Sequence, residues 1–98
     1  MIRHIVMWNL KAEADGRTKE ENAALMKEKL EGLCGQVDGL LSAQVTTNIT
    51  PGGIDVCLVS MHTDRAALDL YQSHPAHLVV KEFVHKVIES RYCHDAEV

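Results

Sequence analysis

A chain of 98 residues makes one domain, large enough to bury roughly two thirds of its unfolded surface. Its composition, 46% hydrophobic and 24% charged with only 4% aromatic, is that of a globular protein whose core is built from Val, Leu, Ile, Ala and Met. A net charge of −4 without any run of Lys or Arg argues against a nucleic-acid surface, and no apolar stretch approaches the ~20 residues of a membrane span. The opening MIRHIVMWNLK is too short and too polar at its end for a signal peptide, so a cytoplasmic location is expected. Cys34, Cys57 and Cys93 are odd in number and widely spaced, and read as small buried hydrophobes in a reducing compartment.

The first run, Ile2 to Leu10, alternates. Ile2, His4, Val6, Trp8 and Leu10 share one face, and Arg3, Ile5, Met7 and Asn9 the other, so both faces are largely apolar. A loop at Ala14-Asp15-Gly16-Arg17 leads to Thr18, an N-cap with Glu21 placed to complete a capping box. The helix that follows carries Ala23, Met26, Leu30, Leu33, Cys34 and Val37 on one side and is expected to stop near Gly35. Leu40 to Ile49 reads as a second strand with Leu41, Ala43, Val45, Thr47 and Ile49 on one face. Thr50-Pro51-Gly52-Gly53 turns the chain, and Ile54 to His62 returns as an antiparallel partner. Thr63-Asp64 opens a second helix, interrupted by Ser73-His74-Pro75; Pro75 suits the first position of a further helix through Leu78, Val79 and Phe83. Val87 to His94 is the last strand, and Asp95 to Val98 is expected to fray.

The order is βαββαβ, which suits an α+β, ferredoxin-like domain: a four-stranded antiparallel sheet with helices on one face. The other face then projects Ile5, Met7, Val59, Met61 and Cys57, a larger apolar patch than soluble proteins usually expose. Packing against a second copy, sheet to sheet, is the simplest way to cover it.

The segments RHIVMWNLK, DVCLVSMHT, ALDLYQSHPAHLVVKEFV and ESRYCHD resemble the stress-responsive dimeric α/β barrel (Dabb) family, with element order and spacing kept through nearly the whole chain. The most specific piece is Tyr71-Gln-Ser-His74-Pro75-Ala76-His77. The resemblance implies a ferredoxin-like protomer and a dimeric barrel. Some members of the family are stress-induced proteins, and many have no assigned activity. One is a plant polyketide cyclase that closes its substrate by an aldol reaction without an organic cofactor, using the tyrosine and second histidine of this segment. Those positions are Tyr71 and His77 here, with His4 in the same pocket. Cofactor-independent monooxygenases are related dimers. The cyclase pocket is lined partly by aromatics of the first helix, where this chain has Glu21-Asn22-Ala23-Ala24-Leu25, so its substrate does not transfer.

In chemical terms His77 suits a base that takes a proton next to a carbonyl, and Tyr71 a donor to the oxygen that becomes negative. His4 supports them, and Val6, Trp8, Val56, Leu58 and Ser60 are expected to line the sheet side. The competing expectation is structural: His77 bonds to backbone in the first turn after Pro75, and Tyr71 keeps its hydroxyl in water. His74 reads as an N-cap, His62 as a strand end, and His85 and His94 as exposed. No metal is expected, since His74 and His77 have no nearby Cys, Asp or Glu to complete a set. A hard cation on backbone carbonyls after the first helix, as the resemblance allows, would leave no mark in side-chain spacing. No cofactor, nucleic acid or membrane is expected as a partner. A second copy is, and a small-molecule ligand fits the pocket. The functional expectation is cofactor-free acid–base chemistry on a carbonyl or aromatic metabolite. The alternatives are a non-catalytic stress-response or assembly protein, or a cofactor-independent oxygenase.

Overall fold

The computed structural model describes residues 1–98. The chain forms β1 (Ile2–Leu10), β2 (Glu13–Ala14), β3 (Arg17–Thr18), α1 (Lys19–Glu31), β4 (Leu40–Thr47), β5 (Val56–His62), α2 (Arg65–Ser73), α3 (Pro75–Val87) and β6 (Ile88–Glu97). The long strands make one antiparallel sheet in the order β4-β5-β1-β6, the ferredoxin-like arrangement expected of βαββαβ. No helix is long and apolar enough to cross a membrane.

The loop after β1 is ordered as a tiny hairpin. Asp15 (φ 53°) and Gly16 (φ 75°) are both left-handed, the pairing that a two-residue turn between twisted strands requires. The capping box of α1 is formed: the Thr18 hydroxyl accepts from Glu21 N at 3.2 Å, and the Glu21 carboxylate accepts from Thr18 N at 3.0 Å. α1 ends at Glu31 rather than near Gly35. From Gly32 the backbone tightens into turns such as Leu33 N to Leu30 O and Cys34 N to Glu31 O, as expected where glycine weakens a helix. Leu33 and Val37 still reach the core, while Cys34 is swung outward. The cysteines are therefore not buried as expected: Cys34 and Cys93 are exposed, Cys57 lies half-buried on the sheet, and all are free.

Three strands also differ from expectation: β4 stops at Thr47 rather than Ile49, β5 starts at Val56 rather than Ile54, and β6 runs from Ile88 to Glu97 rather than from Val87 to His94. Pairing between β4 and β5 shifts between Leu40 and Ser42, so an irregularity there resets the alternation. Leu40 is buried and Leu41, expected inside, is 52% exposed. Ile49, also expected inside, lies beyond the strand and is 97% exposed. The C-terminal tail does not fray. Asp95, Ala96 and Glu97 continue β6, opposite His4, Arg3 and Ile2.

β4 is an edge strand, and α1 protects it. Glu31 accepts from Val45 N at 2.9 Å, and Lys27 donates to Val45 O at 2.9 Å while also pairing with Glu31. Two backbone groups that would otherwise invite another strand are thereby satisfied.

The core lies between the sheet and its helices. Met26, Leu30 and Leu58, each at most 2% exposed, contribute about 1.5–3 kcal/mol apiece by burial. The connection from α1 to β4 passes close beneath α2 at Gly39, whose φ is +85° and where a Cβ would sit 2.5 Å from that of Ala67. On the far side of the sheet the strand registers line up rows. Thr46, Cys57, Met7 and Tyr92 form one, and Gln44, Val59, Ile5 and His94 the next. Each row has an apolar centre and polar or amphipathic ends, and no element of the chain covers it.

Candidate functional site

The Tyr71–His77 segment is explained by its proline. In a continuous helix the carbonyl of Tyr71 would accept from the amide of residue 75, but Pro75 has none. Helix α2 therefore ends, and His74 serves as its C-cap and as the N-cap of α3, its Nδ1 accepting from Ala76 N at 3.1 Å. The carbonyl of Tyr71 keeps only a long bond from His74 N, at 3.3 Å, and also accepts from His77, whose Nδ1–H donates to it at 2.8 Å. That bond fixes the tautomer, because a carbonyl can only accept. Nδ1 carries the proton, and Nε2 keeps its lone pair with no protein partner. The same geometry lays the imidazole on the phenol ring, with centroids 4.0 Å apart and planes 21° apart.

The two competing expectations for His77 thus describe two nitrogens of one ring. One holds the backbone, and the other has no protein partner. For Tyr71 the structural expectation is replaced: the ring is 1% exposed, not a helix-end side chain in water. Burial, with a smaller effect of the neighbouring Cys34, pushes its hydroxyl up to about 12, so it remains a donor. Burial lowers His77 to about 4; its bond to the Tyr71 carbonyl opposes this, and Lys81, His4 and Arg91 reinforce it.

β1 supplies His4, buried at 2% exposure and edge-on to Tyr71 with centroids 6.2 Å apart. Its Nδ1 is hydrogen-bonded to Asp95 of β6, the residue directly across the ladder. His62, at the end of β5, completes the group, with centroids 5.9 Å from His4 and 4.9 Å from Tyr71. Its Nε2 is 3.0 Å from the Ser60 hydroxyl, its buried Nδ1 has no partner, and burial and the neighbouring His4 lower its pKa. The sequence reading missed His62 and Asp95. His62 is in phase with Val56, Leu58 and Ser60 on the inner face, a signal the alternation carries.

His4, Tyr71 and His77 line one cavity beneath α2 and α3, together with Val6, Trp8 and Leu58 of the sheet and Leu30, Val80 and Val84 of the helices. Its volume is about 40 Å³, room for about one water molecule. Gln72, Lys81, His85 and Arg91 form its polar rim. Two of the expected lining residues are elsewhere. Ser60 is turned to His62, and Val56, one strand repeat beyond Leu58, faces an open groove between α1 and β4. That groove, about 760 Å³, is where Ala23 and Ala24 leave space. Its lysines are already paired, Lys19 with Asp55 and Lys27 with Glu31. His74 caps a helix, and His85 and His94 are exposed, as the sequence suggested.

The model of the stress responsive A/B barrel domain (Dabb) matches residues 2–98. The chain belongs to the Dabb family. It is similar in structure to a dimeric protein of unknown function with a ferredoxin-like fold from Bacteroides fragilis, at 28% identity and a TM-score of 0.83 over 99% of this chain and 95% of that one. A Dabb family protein from Mesorhizobium loti superimposes with a TM-score of 0.75 at 22% identity, over 99% and 95% of the two chains. An antibiotic biosynthesis monooxygenase gives 0.75 at 14% identity, over 100% and 98%, a likeness of fold alone. No curated protein sequence matches the chain.

Proposed function

We propose that this Dabb protein works as a homodimer joined through its open sheet faces, and that each protomer takes a small carbonyl-bearing or aromatic metabolite between sheet and helices for cofactor-free acid–base chemistry. The observation that carries the reading is the single cavity shared by His77, Tyr71 and His4, with the His77 tautomer fixed by a backbone bond. Nε2 of His77 takes a proton from the carbon next to the carbonyl. The C–H electron pair moves into the carbonyl, and the enolate oxygen accepts from the Tyr71 hydroxyl. The enolate carbon can then attack a second carbonyl of the same molecule, and the proton returns from His77. A base held at about 4 is fully neutral near pH 7 but weak, and negative charge developing beside it strengthens it. His4, oriented by Asp95, supports the pair. A molecule larger than water requires the rim side chains Gln72, Lys81, His85 and Arg91 to swing outward, and the charges of Lys81 and Arg91 would favour one with an anionic group.

The dimer is supported by the apolar rows of the open face, since packing two copies there removes Ile5, Met7, Cys57 and Val59 from water at once. The B. fragilis relative is itself dimeric.

The test is a thermal-shift screen of small aromatic, carbonyl and polyketide-like compounds. A hit raises the melting temperature, and the rise shrinks in Tyr71→Phe. With a turned-over hit, His77→Ala lowers the rate by about 10²–10⁴-fold. Oxygen consumption during turnover would indicate the oxygenase alternative. The tightness of the cavity favours a second reading, a non-catalytic stress-response or assembly protein whose histidines are structural. A screen without hits, together with a large stability loss in His77→Ala, supports that reading and sinks the first.

A further inference from the structure

Behind the cavity, where β1 meets the edge strand β6, three different ligand atoms converge. The ladder sets His4 opposite Asp95 and Val6 opposite Cys93, so the side chains of His4, Cys93 and Asp95 share the helix-side face of the sheet. His4 Nδ1 contacts Asp95 Oδ1, and Cys93 Sγ lies 3.9 Å from that nitrogen and 3.8 Å from that oxygen. All three atoms fall within 4.8 Å of one another.

We propose that His4, Cys93 and Asp95 form a binding site for a thiophilic divalent transition-metal ion, with zinc(II) as the reference case. A tetrahedral ion with bonds of about 2.0–2.3 Å holds its ligand atoms roughly 3.3–3.8 Å apart. The two separations from sulfur are already close to that range. The third, between His4 and Asp95, opens if the Asp95 side chain, which is 41% exposed, backs away from the imidazole and exchanges its hydrogen bond to His4 for a bond to the ion.

The donor set selects the ion. Thiolate sulfur and imidazole nitrogen suit zinc and its neighbours, whereas calcium and magnesium prefer oxygen alone. Three protein ligands leave a fourth position, and Cys93 and Asp95 are both exposed, so solvent can fill it and the ion can enter. The scaffold is rigid where it matters. His4 is buried in the central part of the sheet, and the other two ligands stand two residues apart on the strand beside it. The sequence could not show the set, because His4 and Asp95 are 91 positions apart.

Occupancy also changes His4. A neutral imidazole that binds metal through Nδ1 must carry its proton on Nε2. His4 then becomes a fixed donor and loses the hydrogen bond to Asp95. This last consequence bears on the acid–base reading of the cavity; the ion site itself does not rest on it.

Cobalt(II) is the probe, titrated into the intact protein and displaced with zinc(II). The expected result is one ion per chain, with thiolate-to-cobalt charge-transfer absorption in the near ultraviolet that zinc abolishes. Cys93→Ser removes that band, while Cys34→Ser and Cys57→Ser keep it. Asp95→Asn keeps the band but weakens binding at least about tenfold, no less than the loss of an outer partner costs elsewhere. Because both substituted ligands are exposed, folding should survive. Nitrogen-15 spectra of the histidines, which should move His4 Nδ1 on zinc addition, give a second measure in the unsubstituted protein. Absence of stoichiometric binding, a band that persists in Cys93→Ser, unchanged affinity in Asp95→Asn, or an unmoved His4 signal would each overturn the site. None of these readouts involves Tyr71, His77 or a cavity ligand, so they stand or fall apart from the proposed chemistry.

Discussion

The two faces of the sheet are written by the same strands and have opposite characters. On the helix side, Val6, Trp8, Leu10, Val56 and Leu58 are almost completely buried, and the row ends in His4, Ser60 and His62. On the other side, Ile5, Met7, Cys57, Val59 and Met61 alternate with them one residue out of phase and remain half-buried. The covered face can hold polar titratable groups because helices shield them and each has a partner within the chain: the Tyr71 carbonyl of α2 for His77, Asp95 of β6 for His4, and Ser60 of β5 for His62. The open face has no such partners within the chain, and its centre is apolar. Alternation alone separates a face that holds a cluster of titratable groups from one that is left apolar and uncovered.

Leu58 and Val59 are adjacent in sequence and test the contrast most directly. Leu58→Ala should cost the protein about 2–5 kcal/mol in urea denaturation, because the helices above it cannot collapse into the space. Val59→Ala should cost far less in the protomer, with its effect appearing as weaker association. Equal losses at the two sites would mean that the faces do not differ as described.

The buried histidines of the covered face make the protein's stability sensitive to acid. His77 is held at about 4 where a free histidine titrates near 6.5, so between those values the unfolded chain binds a proton that the folded chain refuses. Its stabilisation is complete above pH 6.5 and lost as pH falls toward 4. At about 1.36 kcal/mol per pKa unit the loss is about 3 kcal/mol, and His62, also lowered, adds in the same direction. Glu21 and Glu31, lowered by hydrogen bonds from Thr18 and Lys27, lose their contributions only as pH drops below 4.5. Stability measured by urea from pH 7 to 4 should therefore fall steadily, and His77→Gln should flatten the curve. An unchanged slope in that variant would remove His77 as the cause.

Val59→Lys sharpens the comparison from the open side. A lysine at the centre of the Gln44–Val59–Ile5–His94 row places charge where two copies would meet, and sedimentation should show the proposed dimer replaced by protomers. The protomer's own stability should change by no more than about 1 kcal/mol, because the side chain can reach water. A dimer that survives unchanged would place its interface elsewhere.

What the sequence reveals follows the range of the interaction. The open face was legible because alternation along a strand is local, and so was a backbone bond for His77 in the first turn after Pro75; the pairing of His77 with Tyr71 came from the family resemblance, not from any local pattern. Asp95 was not, because its role depends on a ladder with β1 and it looked like the start of a frayed tail. His62 was passed over for the same reason: its neighbours in the site, His4 and Tyr71, come from other elements. The size of the cavity was also hidden, since it depends on how Leu30, Val80 and Val84 settle against the sheet rather than on any pattern of residue types.

The smallest expected effect probes the same contrast at the sheet edge. A regular strand from Leu40 to Ile49 would put Leu41 inside, but the irregular pairing before Ser42 resets the phase and leaves it 52% exposed. Leu41→Ser should then change stability by no more than about 0.5 kcal/mol, as for surface positions generally. Leu40→Ala, one residue earlier and buried, should cost several times as much. If the two were reversed, β4 would be regular, and the inward row of Ala43 and Val45 would have to extend to Leu41. The edge strand would then lack the bend that makes Leu40, not its neighbour, close the core beside His62.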